Sequence, residues 1–426
     1  MHVLVVHNRY SSAQPSGENR VVDEEVGLLR AAGHRVELFE RRSDEIAARS
    51  LLGKAAVPLL VPWNPAVRKE FAALLRAERP DVVHVHNVFP LLSPAVLAAC
   101  ADAGVPVVAT LHNYTQICPP GTLHRDGRQC TECVGTPGAL PAVRHGCYRD
   151  SRLATVPLAV SMTVNRRRWW SGVDRFLCIS GAQRDILVRS GMPAERLSVK
   201  YNFVPEPGVR REGDGEHLLF LGRLAEAKGV RPLMAAWDEI AAGGGVGVPL
   251  VIAGAGPLER EVTAWAAGRD DVSYVGLLDP VECRRAVARS VAVVAPSMSL
   301  ETFGLVVAEA MAAGVPAVAA GHGAFVELVD EGVTGLLHAP GEAASLADRM
   351  RRIAGDPVRN REMGAAARRR YEQRFSPSVG LERLLEEYRT AIAGRAGGGN
   401  SAPPVGIEEA GSSRGIRAGG DGGQEK

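Results

Sequence analysis

Short apolar runs alternate with helix-like segments along most of this 426-residue chain, and this alternation limits the available folds more than any other feature. The runs have the length of buried strands, and they lie at residues 3–6, 36–39, 82–85, 105–111, 218–221, 250–253, 272–275, 291–295 and 317–319. Buried strands separated by helices are typical of parallel sheets that are covered by helices on both faces. The sequence therefore predicts an α/β chain of doubly wound domains.

A Pro- and Gly-rich stretch from Pro205 to Gly215 divides the strands into two series. A chain of this length suits two domains of ordinary size, so we expect one domain at residues 1–205 and a second at 206–378. Such domains bind ligands at the carboxyl ends of their strands, which predicts an active site between the two. Residues 379–395 are predicted to form a last helix. Residues 396–426 are rich in Gly, Ser, Pro and charge and are predicted to be disordered.

The charge and the start of the chain exclude some classes of protein. Fifty Lys and Arg against 48 Asp and Glu give a net charge of +2, which gives no reason to expect a nucleic-acid partner. The sequence has no run of about eighteen uncharged apolar residues, and it enters a strand at once, without a basic region or a cleavage site. We therefore expect a cytoplasmic protein.

The most specific motif lies in residues 296–316, where Glu301 and Glu309 flank a predicted helix start. A buried strand precedes Glu301, and good helix formers run from Phe303 to Ala313. The eight residues from one glutamate to the other rise at most about 12 Å, comparable with the distance from a nucleotide's ribose to the sugar beyond its diphosphate. The free N–H groups of a helix N-terminus between the two glutamates suit a diphosphate. The alternative is a pair of solvated helix glutamates, against which the strand-loop-helix setting and Gly304 argue.

This segment resembles the retaining glycosyltransferases of family 4, which share a Glu-x7-Glu motif and have the GT-B fold. The resemblance implies two Rossmann-like domains that face each other across a cleft, with the last helix crossing back to the first domain. It also implies that Glu301 contacts the donor hexose and that Glu309 binds the ribose hydroxyls. The donor-site residues between these two glutamates are Phe303, Gly304 and Leu305.

Two cations follow the predicted strand 218–221, at the same edge of the sheet as Glu301. These residues, Arg223 and Lys228, belong to types that commonly bind phosphate, although on a loop they are more often solvated. The resemblance implies that both residues, with Gly222, hold the donor diphosphate and stabilise the departing phosphate.

The resemblance also places two glycine turns near the donor. Gly256 follows the strand at 250–253 and would approach the donor base. Gly17 lies in Ser-Gly-Glu-Asn-Arg at residues 16–20, where family members often have Gly-Gly-Ala-Glu-Arg, and its amide would approach the diphosphate. Tight turns also use glycine for its conformation alone.

His112 closes the predicted strand 105–111 and is expected to face the cleft. By the resemblance, it hydrogen-bonds a sugar hydroxyl or the departing phosphate. The alternative is a structurally bonded histidine, although His84 and His86 suit that role better. In the front-face scheme usual for the family, the phosphate takes the acceptor's proton, so catalysis needs orientation and electrostatic support but no metal or other cofactor. The residues that the resemblance makes catalytic are Glu301, His112, Arg223 and Lys228.

An insert at residues 118–147 holds four of the seven cysteines: Cys118, Cys130, Cys133 and Cys147. One close Cys-x2-Cys pair and two outlying cysteines would surround a zinc ion, and a reducing cytosol disfavours disulfides. All-cysteine zinc sites usually have two close pairs, so reduced cysteines without a metal are the alternative. A subset of family 4 carries a similar insert. Because the insert follows His112, we expect it to overhang the acceptor side of the cleft, as a lid or as a determinant of acceptor choice.

The segment from Asn165 to Trp170 combines three arginines with two tryptophans. Such side chains suit an anionic membrane interface, which would place the protein transiently at the inner membrane face. A solvated helix end with tryptophan docked on the core is the alternative.

We therefore expect a retaining hexosyltransferase of polysaccharide biosynthesis. Its donor would be a nucleotide-diphosphate sugar, UDP- or GDP-linked. Its acceptor would be a hydroxyl of a saccharide, a glycolipid or another acceptor, including a lipid-linked one. The alternatives are a nucleotide-sugar epimerase on the same fold and a non-catalytic GT-B module that binds nucleotide sugars. The intact set of Glu301, Glu309, Arg223 and Lys228 argues against the non-catalytic module.

Overall fold

The computed structural model describes residues 1–12 and 16–397. The strands in these ranges are β1 His2–Arg9, β2 Arg35–Arg42, β3 Val82–Asn87, β4 Val107–Leu111, β5 His124–Arg125, β6 Arg128–Gln129, β7 Arg175–Cys178, β8 Leu197–Val199, β9 His217–Leu221, β10 Leu250–Ala253, β11 Val272–Tyr274, β12 Ser290–Ala295, β13 Ala317–Ala320 and β14 Gly335–His338. The helices are α1 Gly17–Ala31, α2 Glu45–Ala48, α3 Leu51–Leu60, α4 Pro65–Glu78, α5 Ala95–Ala103, α6 Leu140–His145, α7 Arg152–Val164, α8 Arg166–Gly172, α9 Gly181–Arg189, α10 Val230–Ala242, α11 Glu259–Ala266, α12 Pro280–Ala288, α13 Leu305–Ala313, α14 Phe325–Leu328, α15 Ala343–Gly355, α16 Pro357–Arg374 and α17 Pro377–Gly397. The tail predicted to be disordered lies, from residue 398 onward, outside the described residues.

The fold is built on two six-stranded β-sheets. Their strand orders are β2-β1-β3-β4-β7-β8 and β11-β10-β9-β12-β13-β14, and neighbouring strands are parallel throughout. Strand β12 is buried along its whole length, as expected where helices cover both faces of a parallel sheet. The chain is thus an α/β protein with two doubly wound domains.

Seven of the nine apolar runs identified in the sequence fall wholly within strands of these sheets, and the runs at 105–111 and 272–275 overlap β4 and β11 but extend beyond them. The sequence did not predict strands β7, β8 and β14, which are at most four residues long. The helix expected from Phe303 begins at Leu305 instead. Gly304 has a left-handed φ of 96°, so it cannot belong to the first helical turn and serves as the N-cap.

The last helix, α17, returns to the first sheet. Its residues Leu384, Tyr388 and Ala391 are buried in the same apolar cluster as Val3 and Val5 of β1. Burial of this face removes apolar surface from water, the main favourable contribution to packing. Helix α17, at the end of the described chain, therefore packs against the first domain.

Polar contacts also join the two domains directly. The backbone N–H groups of Gly181 and Ala182, at the start of α9, donate to the Glu327 carboxylate over 2.8 and 2.5 Å. The Thr302 hydroxyl donates to the backbone oxygen of His112 over 2.9 Å. These contacts hold the carboxyl edges of the two sheets close together.

Candidate functional site

The candidate site lies where the strand order of the second sheet reverses, between β9 and β12. Doubly wound sheets bind ligands at such a switch point, outside the carboxyl ends of the strands. The loop after β9 carries Arg223 and Lys228, and the loop after β12 carries Ser297 and Glu301. Two segments far apart in sequence thus place their polar side chains at one edge.

A cavity of about 310 Å³ occupies the space between the two domains at this edge. The sequence-predicted site residues that line it are Gly17, His112, Gly222, Arg223, Lys228, Glu301, Phe303, Gly304 and Leu305. Of the predicted site residues, Gly256 and Glu309 are not among those lining this cavity. The first domain also contributes Glu18 and Asn113 to the wall, and neither residue was assigned a role from the sequence.

The Glu301 carboxylate is held in the cavity by two hydrogen bonds. Its Oε1 accepts from Lys228 Nζ over 2.5 Å and from the Ser297 hydroxyl over 2.6 Å. Burial alone would raise the pKa of Glu301, but the Lys228 charge and the two hydrogen bonds outweigh burial and lower the pKa below its usual value. The group is therefore an ionised hydrogen-bond acceptor at neutral pH.

The N-terminus of α13 opens into the same cavity. Its N-cap residue is Gly304, no side chain caps it, and residues 304–306 line the cavity. In the part of the chain that the structure describes, the exposed guanidinium of Arg223 has no hydrogen-bond or ion-pair partner. Free N–H groups, a helix dipole and an unpaired cation are together suited to binding an anion.

Gly304 has a steric reason to be glycine. A Cβ at this position would lie 2.4 Å from Cε1 of Phe325, a buried core residue, and its φ of 96° is one that side chains disfavour. Gly256 likewise allows close packing, since a Cβ there would lie 2.5 Å from the Leu224 oxygen. Gly17 faces the second domain, where a Cβ would contact Leu305 Cδ1 at 3.0 Å.

Glu309 lies on α13 and pairs with Arg20 of α1, across the cleft. The sequence placed Arg20 in a loosely matched motif and gave it no role, because the contact joins residues 289 apart. The carboxylate expected to bind ribose is thus held by a cation of the opposite domain.

His112 is held by another histidine. The distance from His86 Nδ1 to His112 Nε2 is 2.9 Å, and the two rings stack with centroids 5.2 Å apart. Burial lowers the pKa of His86 to about 4 and holds the pKa of His112 well below its usual value. Both rings are therefore neutral at pH 7, and a neutral His112 can donate or accept one hydrogen bond without adding charge to the cavity.

Behind these rings lies a buried charged group. Glu25 of α1 pairs with Lys200, and its Oε1 lies 3.1 Å from His84 Nδ1 and 3.4 Å from His86 Nε2. The ligand atoms of Glu25, His84 and His86 lie within 4.8 Å of one another, a spacing that would suit a metal. The Lys200 ammonium already supplies the compensating positive charge, so we interpret the group as an ion-pair network.

The family models match most of the chain. Residues 15–206 match the model described as Glycosyltransferase Family 4, and residues 215–356 match the one described as Glycosyl transferases group 1. The chain belongs to the family 4 glycosyltransferases. The glycogen synthase of Mycobacterium tuberculosis H37Rv is 28% identical over 442 residues, which cover 92% of this chain and 96% of that protein. The phosphatidyl-myo-inositol mannosyltransferase of Mycobacterium leprae is 26% identical over 411 residues, which cover 89% and 95%.

Solved structures show the same fold. Anabaena HepE, crystallised in complex with UDP, matches with a TM-score of 0.63 at 19% identity over 92% of this chain and 100% of its own. Sucrose-phosphate synthase from Thermosynechococcus elongatus matches with a TM-score of 0.66 at 19% identity, over 92% and 99%. This family 4 enzyme therefore has the GT-B fold.

The cysteine insert of this glycosyltransferase contacts the second domain. Gln129, on the short β5–β6 hairpin, lies 2.7 Å from His322 Nδ1, and His322 Nε2 lies 2.7 Å from the Ser297 oxygen. The insert therefore reaches across to the loop that holds Glu301.

The four insert cysteines converge without meeting the spacing of a metal site. Burial and the neighbouring Cys118, Cys130 and Cys147 thiols raise the pKa of Cys133 to about 11, so the four thiols lie near one another. Among the described residues, however, no three of their sulfur atoms lie within 4.8 Å of one another. The four thiols therefore do not form a closed tetrahedral metal site.

The arginine–tryptophan cluster is largely engaged by the fold of the enzyme. Trp169 is buried, Arg166 stacks on Trp170 at 4.0 Å, and Arg168 stacks on Trp63 at 4.6 Å. Among the described residues, none of the helices combines the length and apolar character needed to cross a membrane.

Proposed function

We propose that this family 4 enzyme transfers a hexose, with retention at the anomeric carbon, from a UDP-hexose to a hydroxyl of a saccharide or lipid-linked saccharide. In this proposal residues 206–378 bind the donor, and residues 1–205 provide the acceptor side. One observation carries it: an ionised Glu301, held by Lys228, lies beside the free N-terminus of α13 in the cavity between the domains.

The proposed chemistry follows from these groups. The donor diphosphate binds at the helix N-terminus with Arg223 and Lys228, which stabilise the charge that develops as the C1–O bond to phosphate breaks. Glu301 accepts a hydrogen bond from the hexose, which orients C1. The acceptor oxygen bonds to C1 on the same face, and its proton passes to the departing phosphate oxygen. His112 hydrogen-bonds the hexose or the phosphate as a neutral ring.

Ribose binding by Glu309 would require its pairing with Arg20 to rearrange. Arg20 belongs to the first domain, so donor binding and the relative position of the domains would be coupled through this pair. Binding energy from the nucleotide would then orient the reacting groups.

The donor is tested by nucleoside diphosphate release from UDP-, GDP-, ADP- and dTDP-hexoses. The choice of UDP is supported by the UDP complexes of Anabaena HepE. We expect release from one donor, loss of at least about tenfold in kcat/KM in Arg223→Ala and Glu309→Ala, and little change in Glu239→Gln. Glu239 lies on α10 and pairs at 3.1 Å with Arg351. No release from any donor would contradict the proposal.

We also propose that helices α3 and α7 contact an anionic lipid surface. The two helices pack together and expose seven large apolar side chains: Leu51, Leu52, Leu59, Leu153, Val156, Val160 and Val164. They carry Lys54 and Arg152 but no acidic residue. An apolar face with only positive charge complements anionic lipid.

Sedimentation with vesicles tests this surface. We expect binding to phosphatidylglycerol-containing vesicles, weaker binding to pure phosphatidylcholine, and loss in the double variant Leu52→Ser, Leu153→Ser. Leu277→Ser removes a comparably exposed leucine from the second domain and serves as the control. Equal binding by the double variant and the control, or concentration-dependent dimerisation through this face instead, would contradict the proposal.

The structural zinc remains a prediction. The convergence of Cys118, Cys130, Cys133 and Cys147 supports it, but their sulfur atoms would have to draw together around the ion. Metal analysis of the purified protein tests it: about one zinc per chain, lost in Cys133→Ser and kept in Cys283→Ser, is expected. A metal-free protein that melts at the same temperature with and without added zinc would contradict it.

A further inference from the structure

The cavity wall formed by the first domain holds a carboxyl group that the proposed donor contacts do not use. Glu18 is the second residue of α1 and lines the cavity. Its Oε2 accepts from Asn113 Nδ2 over 3.3 Å, and the same Nδ2 lies 3.4 Å from the Tyr10 hydroxyl. Its Oε1 is buried and has no hydrogen-bond partner among the described residues.

A purely structural role does not account for Glu18. The side chain of Ser16 already caps α1, by accepting from the N–H of Asn19 over 3.3 Å. Within the described ranges, Glu18 makes no ion pair with a basic residue. A buried oxygen left without a partner destabilises the protein, and a ligand with a hydroxyl group at this position would offset that cost.

The chemistry around Glu18 indicates what that ligand is. Burial raises the pKa of Glu18 to about 8, and the neighbouring Tyr10 hydroxyl and Asn113 amide oppose that rise only in part. The carboxyl is therefore mostly protonated at neutral pH, and offers both a donor and an acceptor. Asn113 and Tyr10 are neutral donors and acceptors as well. Such a set matches the hydroxyl groups of a neutral sugar better than it matches a phosphate or a cation.

The other titratable groups face this carboxyl from several elements. Tyr148 neighbours Tyr10, His112 precedes Asn113 in the chain, and Arg20 lies on the same helix. The groups across the cavity, on the second domain, are Arg223, Lys228 and Glu301. A donor diphosphate bound there would add negative charge, which favours the protonated form of Glu18 further.

We infer that Glu18, Asn113 and Tyr10 form the acceptor subsite of this enzyme and bind the hydroxyl groups of a neutral sugar or polyol opposite the donor. This inference rests on the proposed function. It names the chemical class of the acceptor group that the cavity receives.

The start of the cysteine insert lies against the Asn113 side chain of this subsite. Asn113 Oδ1 accepts from the Thr115 N–H over 2.9 Å, and a Cβ at Gly121 would approach the same oxygen at 3.1 Å. Thr115, just before the insert, and Gly121 within it therefore hold the Asn113 amide with its Nδ2 toward Glu18 and Tyr10. The insert influences acceptor choice by positioning Asn113.

Ligand-detected NMR on the full-length protein in the presence of UDP tests the subsite. The probes are methyl α-D-glucoside, methyl α-D-mannoside and myo-inositol, each at millimolar concentration. We expect at least one to bind, and its Kd to rise at least about tenfold in Glu18→Ala but less than about threefold in Glu18→Gln. The amide retains a donor and an acceptor, so it replaces the protonated acid.

Two controls separate the subsite from damage to the fold. Glu37→Gln changes a half-exposed glutamate on β2 that pairs with Arg35, and it should bind the probe as the wild type does. In the wild type the Kd should rise as the pH passes 8 and Glu18 ionises, whereas in Glu18→Gln it should not.

The outcomes distinguish this inference from the proposed function. Binding of UDP without binding of any probe, or a Glu18→Ala variant that binds the probe as tightly as the wild type, would overturn the subsite. Failure to bind or cleave any nucleotide sugar would count instead against the proposed function.

Discussion

At the scale of single residues, the site depends on the Glu301 carboxylate, which stays ionised although it is buried. Glu301 is buried enough to lose most of its hydration, yet Lys228 and Ser297 keep it ionised. Hydrogen bonds to charged groups contribute about 1.5–3 kcal/mol, and each unit of pKa corresponds to about 1.4 kcal/mol. A single neutral hydroxyl can therefore set the pH range over which the carboxylate works.

Ser297→Ala should shift the acid limb of donor kcat/KM upward by about one pH unit. The change removes the 2.6 Å hydrogen bond to Glu301, so the pKa of that carboxyl rises and the charged form is lost at higher pH. The measurement is the pH profile of donor cleavage, which reports groups of the free enzyme. Ser299→Ala is the control, since its hydroxyl donates to the Ala227 oxygen over 3.3 Å. Identical profiles for both variants would contradict this account.

Gly304→Ala should lower the free energy of unfolding by at least about 2 kcal/mol and weaken donor binding. The left-handed conformation costs a side chain about 1–2 kcal/mol, and a Cβ 2.4 Å from Phe325 forces repacking. Gly355→Ala, at an open position in α15, should be neutral or stabilising by up to about 1 kcal/mol. Denaturant unfolding of the two variants checks the difference, and equal stabilities would be inconsistent with it.

The sequence points to some residues of the candidate site because their signals are local. Glu301 and Glu309 share one strand-loop-helix motif, and Lys228 follows a recognisable strand. Arg20 and Glu18 were missed, because their importance comes from contacts with residues far away in the chain. No local pattern shows that Arg20 pairs with Glu309, or that one oxygen of Glu18 lacks a partner.

At the scale of elements, a buried network joins α1, β3 and α17. Glu25 of α1 pairs with Lys200 and approaches His84 of β3, while the hydroxyl of Tyr388 on α17 lies 2.7 Å from His84 Nδ1. Burial alone would raise the pKa of Glu25, but the Lys200 charge and His84 hold it well below its usual value. The network keeps His86, and through it His112, in position.

Lys200→Met should destabilise the protein by about 3–5 kcal/mol at pH 7, because it leaves the Glu25 carboxylate buried without a countercharge. Adding Glu25→Gln should recover part of that loss. Without Lys200 the pKa of Glu25 rises, so the deficit of the single variant should shrink as the pH falls from 7 to 5. Thermal unfolding at both pH values checks this, and a deficit independent of pH would argue against the network.

The same scale shows which elements the sequence could predict. Strands buried on both faces, such as β1 and β12, are continuous apolar runs that are visible without a structure. Strands β7, β8 and β14 are shorter and contain Arg, Ser or His, so their strand character depends on neighbours in the sheet. The start of α13 was misplaced because the left-handed Gly304 is a tertiary requirement imposed by Phe325.

At the scale of the whole molecule, the two domains are held together at the cleft by contacts that ligands can change. Glu327 of the second domain accepts from the N-terminal N–H groups of α9 and from the Tyr201 hydroxyl over 3.1 Å. Arg20 and Glu309 form a second contact across the cleft. Because several contacts hold the two domains together, we expect the domain interface to weaken stepwise as these contacts are removed.

Glu327→Ala should raise the donor KM about three- to tenfold and enlarge the radius of gyration, because a helix cap worth about 1 kcal/mol is lost from the interface. Small-angle scattering and donor kinetics together check this. Glu342→Ala, at a helix start of the same domain where its side chain makes no cap bond, should change neither. An unchanged radius with an unchanged KM would contradict a role for Glu327 in closure.

The central claim is that the loops after β9 and β12 bind a nucleotide sugar and support transfer with retention. Real-time proton NMR of UDP-α-hexose cleavage, with water as the acceptor, tests it most directly. We predict that the α-anomer of the free hexose forms first, and that Glu301→Gln lowers its rate of formation at least about a hundredfold. Initial formation of the β-anomer, or cleavage that does not depend on Glu301, would contradict the account.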